Sequence, residues 1–492
     1  MSSANSTINN PGFGILSAGA YLPRLRLDRK TVAASHRWMA PSLKSLARGV
    51  RAMANWDEDA LTMAVEACRA ALGKAAAPDL QRIVLASTSL PFADRLNAGV
   101  VRSALALSPK LAACDAGGSL RAGTTELLRA LEGISDKSTL IVASEHRQAK
   151  PASTAELLFG DGAAALVVGR GKPIAVLRGA ASECHDFVDH FRENGHDTDY
   201  SWEERWVRDE GFGKIIPPVV KSALEAAGCV AADIDHFVMP AALPRVNQTI
   251  AQTLGIRAEA VADTLFEACG DTGNAHPLMM LAKTLALATP GQKILVVQFG
   301  SGCDAIVLET TEWQVPDESR LNWLSGGRTE TNYLKFLSFK GQLDLAWGMR
   351  AEMDNKTALS AAWRNEPILN GFMGGCCTSC GTVQFPSSRI CVNPACVKTD
   401  TQEPYRLADE AAHIRSYTCD WLSYSQSPPF QFGHVEFASG ARVLMEFTDS
   451  EPEDLAVGTP LAMRFRIKDV DPLRGFRRYF WKAKTQQHIA EV

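Results

Sequence analysis

The chain carries an internal repeat, and this repeat limits the possible folds more than any other feature of the sequence. Three short segments rich in Val, Ile, Leu and Ala recur in the same order further along. The pairs are 82–91 with 235–244, 139–144 with 293–298, and 159–169 with 299–309. Continuous apolar runs of this length are typical of buried strands. Because the order is kept, we interpret them as a duplication rather than as two unrelated α/β domains that use the same apolar residues in their strands.

Helical patterns lie between these predicted strands, for example at 57–72 and 217–227. Strands that alternate with helices form mostly parallel sheets covered by helices. The repeat therefore predicts an α/β body of two similar halves, at 10–170 and 171–313. A chain of 492 residues has room for two or three domains, so we expect further domains after this body.

Composition excludes some broad classes of function. The 51 basic and 55 acidic residues give a net charge of −4, which argues against nucleic acid as the main partner. No run of about 18 apolar residues occurs, and the first residues lack the basic and apolar regions of a signal peptide. We therefore expect no membrane span and a cytoplasmic location. The 12 cysteines are then expected to be free thiols and metal ligands rather than disulfides.

The details of the repeat resemble the thiolase superfamily. Each half closes with a Phe-Gly-x-Gly strand, at 159–162 and 299–302. The acidic segment 57–59, the Thr-Met-Ala segment 62–64 and the opening segment 14–23 resemble the hydroxymethylglutaryl-CoA synthase branch more than thiolases proper. This resemblance implies a five-layered α-β-α-β-α thiolase fold and a homodimer. It also implies an acyl-CoA thioester substrate, with coenzyme A present only as part of that substrate.

The resemblance further implies three catalytic residues, and all three are changed in this chain. Relatives carry a nucleophilic Cys at the amino end of a buried helix, which lowers the pKa of the thiol. When Asp115 is aligned with the Asp of that motif, Leu120 stands at the Cys position. Pro240 replaces a His that follows the first strand of the second half, and Asp271 replaces the Asn of a Gly-Asn-Thr motif. Three changes in register indicate different chemistry or none.

The backbone at these positions can still assist a reaction. Main-chain N–H groups near Leu120, Gly300 and Gly302 are predicted to form an oxyanion hole that polarises a carbonyl without covalent capture. Such a hole suits an aldol or retro-aldol step, which needs a base and an enolate stabiliser. Some superfamily members that lack the Cys are aldolases acting on CoA thioesters, and this chain is similar in that respect.

Asp271 and His276 are the candidate general bases. Asp271 stands where relatives keep a catalytic polar residue, and burial in an apolar cleft would raise the pKa of its carboxyl. Both also have a structural interpretation, Asp271 as a helix N-cap and His276 as a core histidine. Ser119 is a candidate substitute nucleophile, and Cys114 on the preceding strand is another.

Four cysteines beyond the α/β body have the spacing of a metal site. Four thiolates on two turns suit a closed tetrahedral zinc site with no position left for substrate. We therefore expect a structural zinc in a rubredoxin-like ribbon at 371–399, after a helical linker at 314–370. Cys376 is an alternative to the first ligand. The four predicted ligands are Cys377, Cys380, Cys391 and Cys396.

The segment 400–482 predicts a small β-barrel. Five short alternating strands with Gly-rich turns suit an OB-fold. A zinc ribbon followed by such a barrel resembles the acyl-CoA-associated OB-fold family, whose members accompany thiolase-fold partners. A basic tail could contact CoA phosphates or be a solvated face; it comprises Arg474, Arg477, Arg478 and Lys482. The predicted strands are 403–407, 414–421, 434–437, 441–447 and 461–467.

These patterns leave three hypotheses for function. The first is an enzyme that makes or breaks a C–C bond beside an acyl-CoA carbonyl without the catalytic Cys, by an aldol, retro-aldol or β-keto cleavage route. The second is a Claisen-type enzyme of the hydroxymethylglutaryl-CoA synthase or thiolase kind. The third is a non-catalytic subunit that binds acyl-CoA and supports a thiolase partner.

Overall fold

The computed structural model describes residues 12–73, 79–243, 245–352 and 356–486. The chain divides into two compact units. The body unit comprises Met1–Ala54, Asp59–Gly99 and Lys110–Leu337, and the C-terminal unit comprises Asn55–Glu58, Val100–Pro109 and Ser338–Val492. The predicted linker 314–370 is therefore divided between the two units near Leu337.

The body unit is an α/β structure built mainly on one mixed sheet. Its strands are β1 Phe13–Tyr21, β2 Leu25–Asp28, β3 Val50–Met53, β4 Leu80–Ala86, β5 Ala112–Ala116, β6 Ser138–Glu145, β7 Gly162–Arg170, β8 Ala175–Cys184, β9 His190–Phe191, β10 Tyr200–Ser201, β11 His236–Val238, β12 Lys293–Phe299, β13 Gly302–Thr310 and β14 Arg328–Glu330. The helices as far as Phe339 are α1 Arg29–Ser35, α2 Ala60–Leu72, α3 Asn97–Ala104, α4 Ala122–Glu132, α5 Thr154–Leu158, α6 Glu204–Trp206, α7 Gly213–Ala227, α8 Val246–Leu254, α9 Phe266–Cys269, α10 Ala275–Leu287, α11 Asn322–Ser325 and α12 Tyr333–Phe339. Of these, α3 after Gly99 and α12 after Leu337 belong to the C-terminal unit.

The strand order of the main sheet confirms that the repeat segments occupy equivalent places. The order is β11-β12-β13-β8-β1-β7-β6-β4-β5. Reading outward from the centre, β1-β7-β6-β4 on one side matches β8-β13-β12-β11 on the other. In both sets the last pair is parallel and the other pairs are antiparallel. The two halves join where Ile15 of β1 pairs with Ala175 of β8.

Two helices pack centrally and two lie outside. Helices α4 and α10 contact each other and strands of both halves, whereas α2 contacts β1, β6 and β7 and α7 contacts β8, β12 and β13. Strands of each half therefore contact both a central and an outer helix. Helix α10 is buried along almost its whole length, as a central helix must be. Asp59 caps α2 by accepting hydrogen bonds from the amides of Leu61 and Thr62.

The C-terminal unit contains two sheets. A three-stranded sheet has the order β16-β15-β17, and a five-stranded sheet has the order β20-β19-β18-β21-β22. An isolated parallel bridge between Phe447 and Ala483 brings the ends of the larger sheet together. The elements are α13 Leu359–Arg364, α14 Glu366–Leu369, β15 Met373–Cys377, β16 Val383–Gln384, β17 Gln402–Arg406, β18 Ala412–Asp420, β19 Phe430–Phe437, β20 Arg442–Glu446, β21 Pro460–Asp471 and β22 Phe476–Thr485.

Two predictions for this unit were wrong in detail. The predicted barrel strand 403–407 pairs with β15 in the small sheet, and the larger sheet takes its fifth strand from 476–485 instead. One member of the basic tail is also not at the surface, whereas Arg474 is exposed and Arg477 and Arg478 are part-exposed. Lys482 lies on β22, is 2% exposed, and contacts Asp57 and Glu446 at 3.0 Å each. Its charge is neutralised within the unit, so it is not available to a phosphate.

In the part of the chain that the structure describes, no helix is long and apolar enough to cross a membrane.

Candidate functional site

The turn between β5 and α4 is the place where relatives would carry the nucleophile. It contains Ser119, Leu120 and Arg121, and α4 begins at Ala122. The Ser119 hydroxyl donates to the Gly300 carbonyl at 2.8 Å, and Arg121 Nε donates to the same oxygen at 2.9 Å. The turn is therefore fixed against the loop that joins β12 and β13. Leu120 itself supplies no nucleophilic atom there.

The backbone amides of Ser119 and Leu120 in this turn are both open among the described residues. Among the described residues, the Leu120 N–H meets no hydrogen-bond acceptor. A Cβ built on Gly300 would lie 3.2 Å from the Leu120 nitrogen and 3.1 Å from the Arg121 nitrogen. Because Gly300 has no side chain, no methyl group crowds these two amides. A carbonyl oxygen placed there would meet the Leu120 N–H in the way an oxyanion hole requires.

The other two predicted oxyanion residues have different roles. The Gly300 amide donates to the Gly302 carbonyl at 3.0 Å, so that the prediction of Gly300 as an oxyanion donor is corrected. Gly302 has a φ of 120°, and a Cβ on it would lie 2.1 Å from the Glu183 carbonyl. Gly302 is thus required by the packing of β13 against β8.

A buried ion pair between Arg121 and Asp304 holds the turn in place. Arg121 Nη1 lies 2.8 Å from Asp304, whose side chain is fully buried. Asp304 also accepts from the hydroxyls of Thr124 at 2.9 Å, Thr125 at 2.7 Å and Ser182 at 2.6 Å. With so many donors, Asp304 is an anionic anchor for the first turn of α4. Arg121 and Asp304 are site residues that the sequence did not predict.

Asn274 and Glu145 form a second network that the sequence did not predict. Asn274 Oδ1 accepts from the Gly123 amide at 3.0 Å, and its Nδ2 donates to the Ser119 carbonyl at 3.0 Å and to Glu145 at 2.9 Å. Glu145 also accepts from the amide and hydroxyl of Thr88. Both Asn274 and Glu145 are fully buried. The available signal was that Glu145 ends a predicted buried strand and Asn274 follows Asp271 by three residues.

The prediction of a raised pKa at Asp271 was wrong. Burial alone would raise the pKa of this carboxyl, but Arg147 at 3.0 Å, with His276 and the Gly273 amide, lowers it to about 2. Arg147 is itself 2% exposed and also donates to the Asp271 carbonyl. An ionised carboxylate held in a buried ion pair is a poor general base, because protonating it breaks that pair.

His276 occupies its ring nitrogens within the protein. Nε2 donates to the Thr264 carbonyl at 2.6 Å, and Nδ1 accepts from the Thr272 amide at 3.0 Å. Burial lowers the pKa of this imidazole, so that the neutral tautomer fits both partners. With a side chain 3% exposed, His276 follows the core-histidine interpretation.

The substitute nucleophiles are no better placed. The Ser119 hydroxyl already donates to Gly300, with no base beside it in the described contacts. Cys114 is exposed on β5, the last strand of the sheet, and not at the helix tip. Partial burial of its sulfur and the nearby Glu126 raise the pKa of the thiol, the opposite of what attack requires. Pro240 follows β11 and offers no proton-transfer group.

The four predicted cysteine ligands come together in the C-terminal unit. The four sulfurs lie within 4.8 Å of one another. The sulfurs of Cys377 and Cys396 are 3.9 Å apart, and those of Cys380 and Cys391 are 3.6 Å apart. Cys376 lies outside this cluster, with its sulfur 3.7 Å from the Gly381 carbonyl. Cys377, and not the alternative Cys376, therefore belongs to the cluster.

Known proteins resemble the body unit. The carboxyl-terminal family of 3-oxoacyl-[acyl-carrier-protein] synthase III matches residues 224–309. The crystal structure of 3-oxoacyl-(acyl carrier protein) synthase III from Pseudomonas aeruginosa aligns with a TM-score of 0.54 at 24% identity, over 62% of this chain and 100% of that chain. A crystal structure of HMG-CoA synthase complexed with CoA aligns with a TM-score of 0.57 at 17% identity, over 70% of this chain and 94% of that one. Both support a thiolase-like fold.

A relative at higher identity defines the family. A hydroxymethylglutaryl-CoA synthase from Aeropyrum pernix is 30% identical over 343 residues, which span 67% of this chain and 94% of that protein. The alignment covers nearly the whole relative. The chain therefore belongs to the hydroxymethylglutaryl-CoA synthase family of the thiolase superfamily.

Proposed function

We propose that this protein makes or breaks a C–C bond beside the carbonyl of an acyl-CoA thioester, without forming an acyl-enzyme. The observation that carries the proposal is the open Leu120 amide next to the space left by Gly300, at a helix tip that has no thiol. An amide in that position stabilises negative charge on a thioester oxygen as it develops. The family supports the substrate class, since its relatives are named for CoA thioesters.

An aldol or retro-aldol step fits these groups. In cleavage, a base removes the proton of the β-hydroxyl of a 3-hydroxyacyl-CoA, and the Cα–Cβ bond breaks. The products are an aldehyde or ketone and the enolate of the shortened thioester, whose oxygen accepts the Leu120 N–H. The proton then returns to the α-carbon, so that nothing is gained or lost. Arg121 with Asp304, and Asn274 with Glu145, position the turn and do not exchange protons in this scheme.

A Claisen-type reaction is the second candidate, because the relatives are synthases. That route needs an acyl acceptor on the protein or a second thioester acting directly. Ser119 is the nearest hydroxyl, and its hydrogen bond to Gly300 holds it away from attack. A non-catalytic acyl-CoA-binding role beside a thiolase partner is the third candidate, and it predicts binding without turnover.

Two measurements on the full-length protein separate these candidates. The protein is incubated with a panel of 3-hydroxyacyl-, 3-oxoacyl- and acetyl-CoA thioesters, and products are followed by chromatography. Intact mass is recorded after rapid acid quench. We expect carbonyl product from a 3-hydroxyacyl-CoA, with no mass adduct. An acyl adduct would support the Claisen route, and binding with no turnover of any thioester would support the scaffold role.

We also propose that the cysteine cluster holds one structural zinc ion. Tetrahedral Zn–S bonds of about 2.3 Å place sulfurs roughly 3.8 Å apart, which agrees with the observed 3.6 and 3.9 Å. Four sulfur ligands leave no position for a substrate, so the ion would supply folding free energy, on the order of 10 kcal/mol. Elemental analysis should give one zinc per chain in the wild type and in Cys376→Ser, but not in Cys377→Ser.

The fold supports two further assignments. The sheet order β20-β19-β18-β21-β22, with the parallel bridge that brings its ends together, favours an OB-type barrel after a zinc ribbon. Strand β5 ends the main sheet with one edge unpaired among the described strands, and an open edge can pair with a second copy. Light scattering should therefore give a homodimer.

A further inference from the structure

The segment 187–201, which contains the small hairpin β9–β10, is attached to the rest of the body at three places. Thr198 bridges to Gln148, just beyond β6. Arg192 donates to the Thr88 carbonyl, and Thr88 in turn holds Glu145. Three residues before the hairpin, the Phe187 ring packs edge-on against Phe299, with centroids 5.7 Å apart. The chain from Phe187 to Arg192 thus runs from the β12–β13 loop to the end of β4, and both of these border the turn that holds Leu120.

The two faces of this hairpin differ. Phe191 and its partner Tyr200 are 54% and 55% exposed, so that this pair faces solvent. Because successive residues of a strand point to opposite faces, His190 points to the other face, where the charges of Arg147 and Asp199 act on it. Its side chain is 24% exposed, which leaves it accessible without being on the outer surface.

His190 is oriented by a neighbouring carboxylate. Its Nδ1 lies 3.1 Å from Asp189, and its Nε2 has no protein partner among the described residues. Burial alone would lower the pKa of His190, but the hydrogen bond and charge of Asp189 outweigh it and raise the pKa above the usual 6.5. The other charged groups that act on it are Arg147, which opposes protonation, and Asp199, which favours it. Asp199 is itself paired with Arg192.

We propose that His190 Nε2 is the general base and acid of the C–C bond reaction, oriented by Asp189. This assignment rests on the proposed function, and it supplies the proton acceptor that Asp271 and His276 do not provide. Neutral His190 takes the proton of the β-hydroxyl as the Cα–Cβ bond breaks, while the enolate oxygen accepts the Leu120 N–H. The imidazolium, stabilised by Asp189, then returns that proton to the α-carbon.

Kinetics of three variants test this role. In His190→Gln, kcat for the 3-hydroxyacyl-CoA that the wild type cleaves should fall by on the order of 10²-fold or more, with KM changed less than threefold. The wild-type rate should decline as the pH is lowered, with an apparent pKa above 6.5 that reports protonation of His190. This decline should be absent in His190→Gln. Asp189→Asn should lower kcat by a smaller factor. The matched control is His196→Gln in the same hairpin connection, whose side chain is 67% exposed, and it should be unchanged.

A second measurement does not depend on turnover or on the folding of a variant. Wild-type protein is treated with diethylpyrocarbonate with and without 3-hydroxybutanoyl-CoA, and modification at each His is quantified by peptide mass spectrometry. We expect the thioester to slow modification of His190 at least fivefold and to leave His196 unaffected. Activity of His190→Gln within threefold of the wild type, or no protection of His190, would overturn the assignment. If the wild type cleaves no thioester, the proposed function fails by itself, and protection still decides whether His190 faces the ligand.

Discussion

The two central helices of the body, α4 and α10, begin in polar surroundings that differ in exposure. At the start of α10, Asp271 pairs with Arg147, and both ring nitrogens of His276 have partners. At the start of α4, the side chains of Ser119 and Arg121 are also engaged, but Leu120 is part-exposed, whereas Asn274 at the start of α10 is fully buried. The first N–H groups of a helix have no partner within it, so an accessible one can take a ligand oxygen. We therefore place the reaction at the start of α4 and give the polar groups at the start of α10 a structural role.

Restoring a thiol at the α4 turn should give the largest effect. In Leu120→Cys, the helix terminus lowers the pKa of the new thiol and the neighbouring amides face the thioester. We expect an acetyl adduct after incubation with acetyl-CoA, located at residue 120 by peptide mass spectrometry. Leu120→Ala and the wild type serve as controls without an adduct. An adduct on Cys114 or Ser119 in the wild type would show that the chain acylates by another route.

Filling the space beside the open amide should be the next largest effect. In Gly300→Ala, the new methyl group lies 3.2 Å from the Leu120 nitrogen and displaces a substrate oxygen. Loss of an oxyanion contact lowers kcat by on the order of 10²-fold. The thermal midpoint should also fall, because the methyl group lies 2.8 Å from the Ser119 hydroxyl that fixes the turn and 3.1 Å from the Arg121 nitrogen, so kcat is compared at a temperature at which both variants are folded. The matched control is Gly213→Ala, at the start of α7. Equal activity of the two variants would show that no substrate oxygen lies beside Gly300.

At α10 the expected effect is on stability rather than on rate. The pKa of Asp271 is about 2 in the folded protein against 3.8 for the ordinary carboxyl, so Asp271→Asn should cost about 2 kcal/mol at pH 7. Since the folded pKa is the lower one, this contribution is present above pH 4 and lost as the pH falls toward 2. Urea unfolding at pH 7 and pH 3 measures the difference. Asp136→Asn, in an exposed pair with Arg170, should cost well under 1 kcal/mol.

The smallest expected effect comes from His276. Its pKa is lowered in the folded state, so the unfolded chain binds the proton first as the pH falls through 6.5. The wild type should therefore lose stability below pH 6.5, by up to about 1 kcal/mol per pH unit, and His276→Gln should lose less over the same range. Thermal unfolding from pH 8 to pH 5.5 tests this. A His276→Gln variant that folds normally but is inactive would instead return His276 to the list of candidate bases.

The sequence predicted those features that depend on local pattern. The repeat segments occupy equivalent strands because apolar periodicity and order survive duplication, and spacing alone identified the four cysteines. Leu120 stands at the amino end of the central helix, as the alignment of Asp115 predicted.

Features that depend on distant partners could not be predicted. The pKa of Asp271 is set by Arg147, which lies 124 residues earlier in the chain. The strand at 402–406 had a barrel-like pattern, but pairing, which a pattern does not encode, places it beside β15. Lys482 looked like part of a solvated tail, and only the contacts with Asp57 and Glu446 explain its burial. Asn274 and Glu145 are joined across 129 residues by a hydrogen bond that no spacing rule predicts.

The most direct measurement is a structure of the wild-type protein with a 3-hydroxyacyl-CoA or a stable thioether analogue bound. The thioester oxygen should lie about 3 Å from the Leu120 nitrogen, in the space beside Gly300, with no bond to the protein. A carbonyl carbon bonded to Ser119 or Cys114, or a thioester seated away from the amino end of α4, would contradict the account.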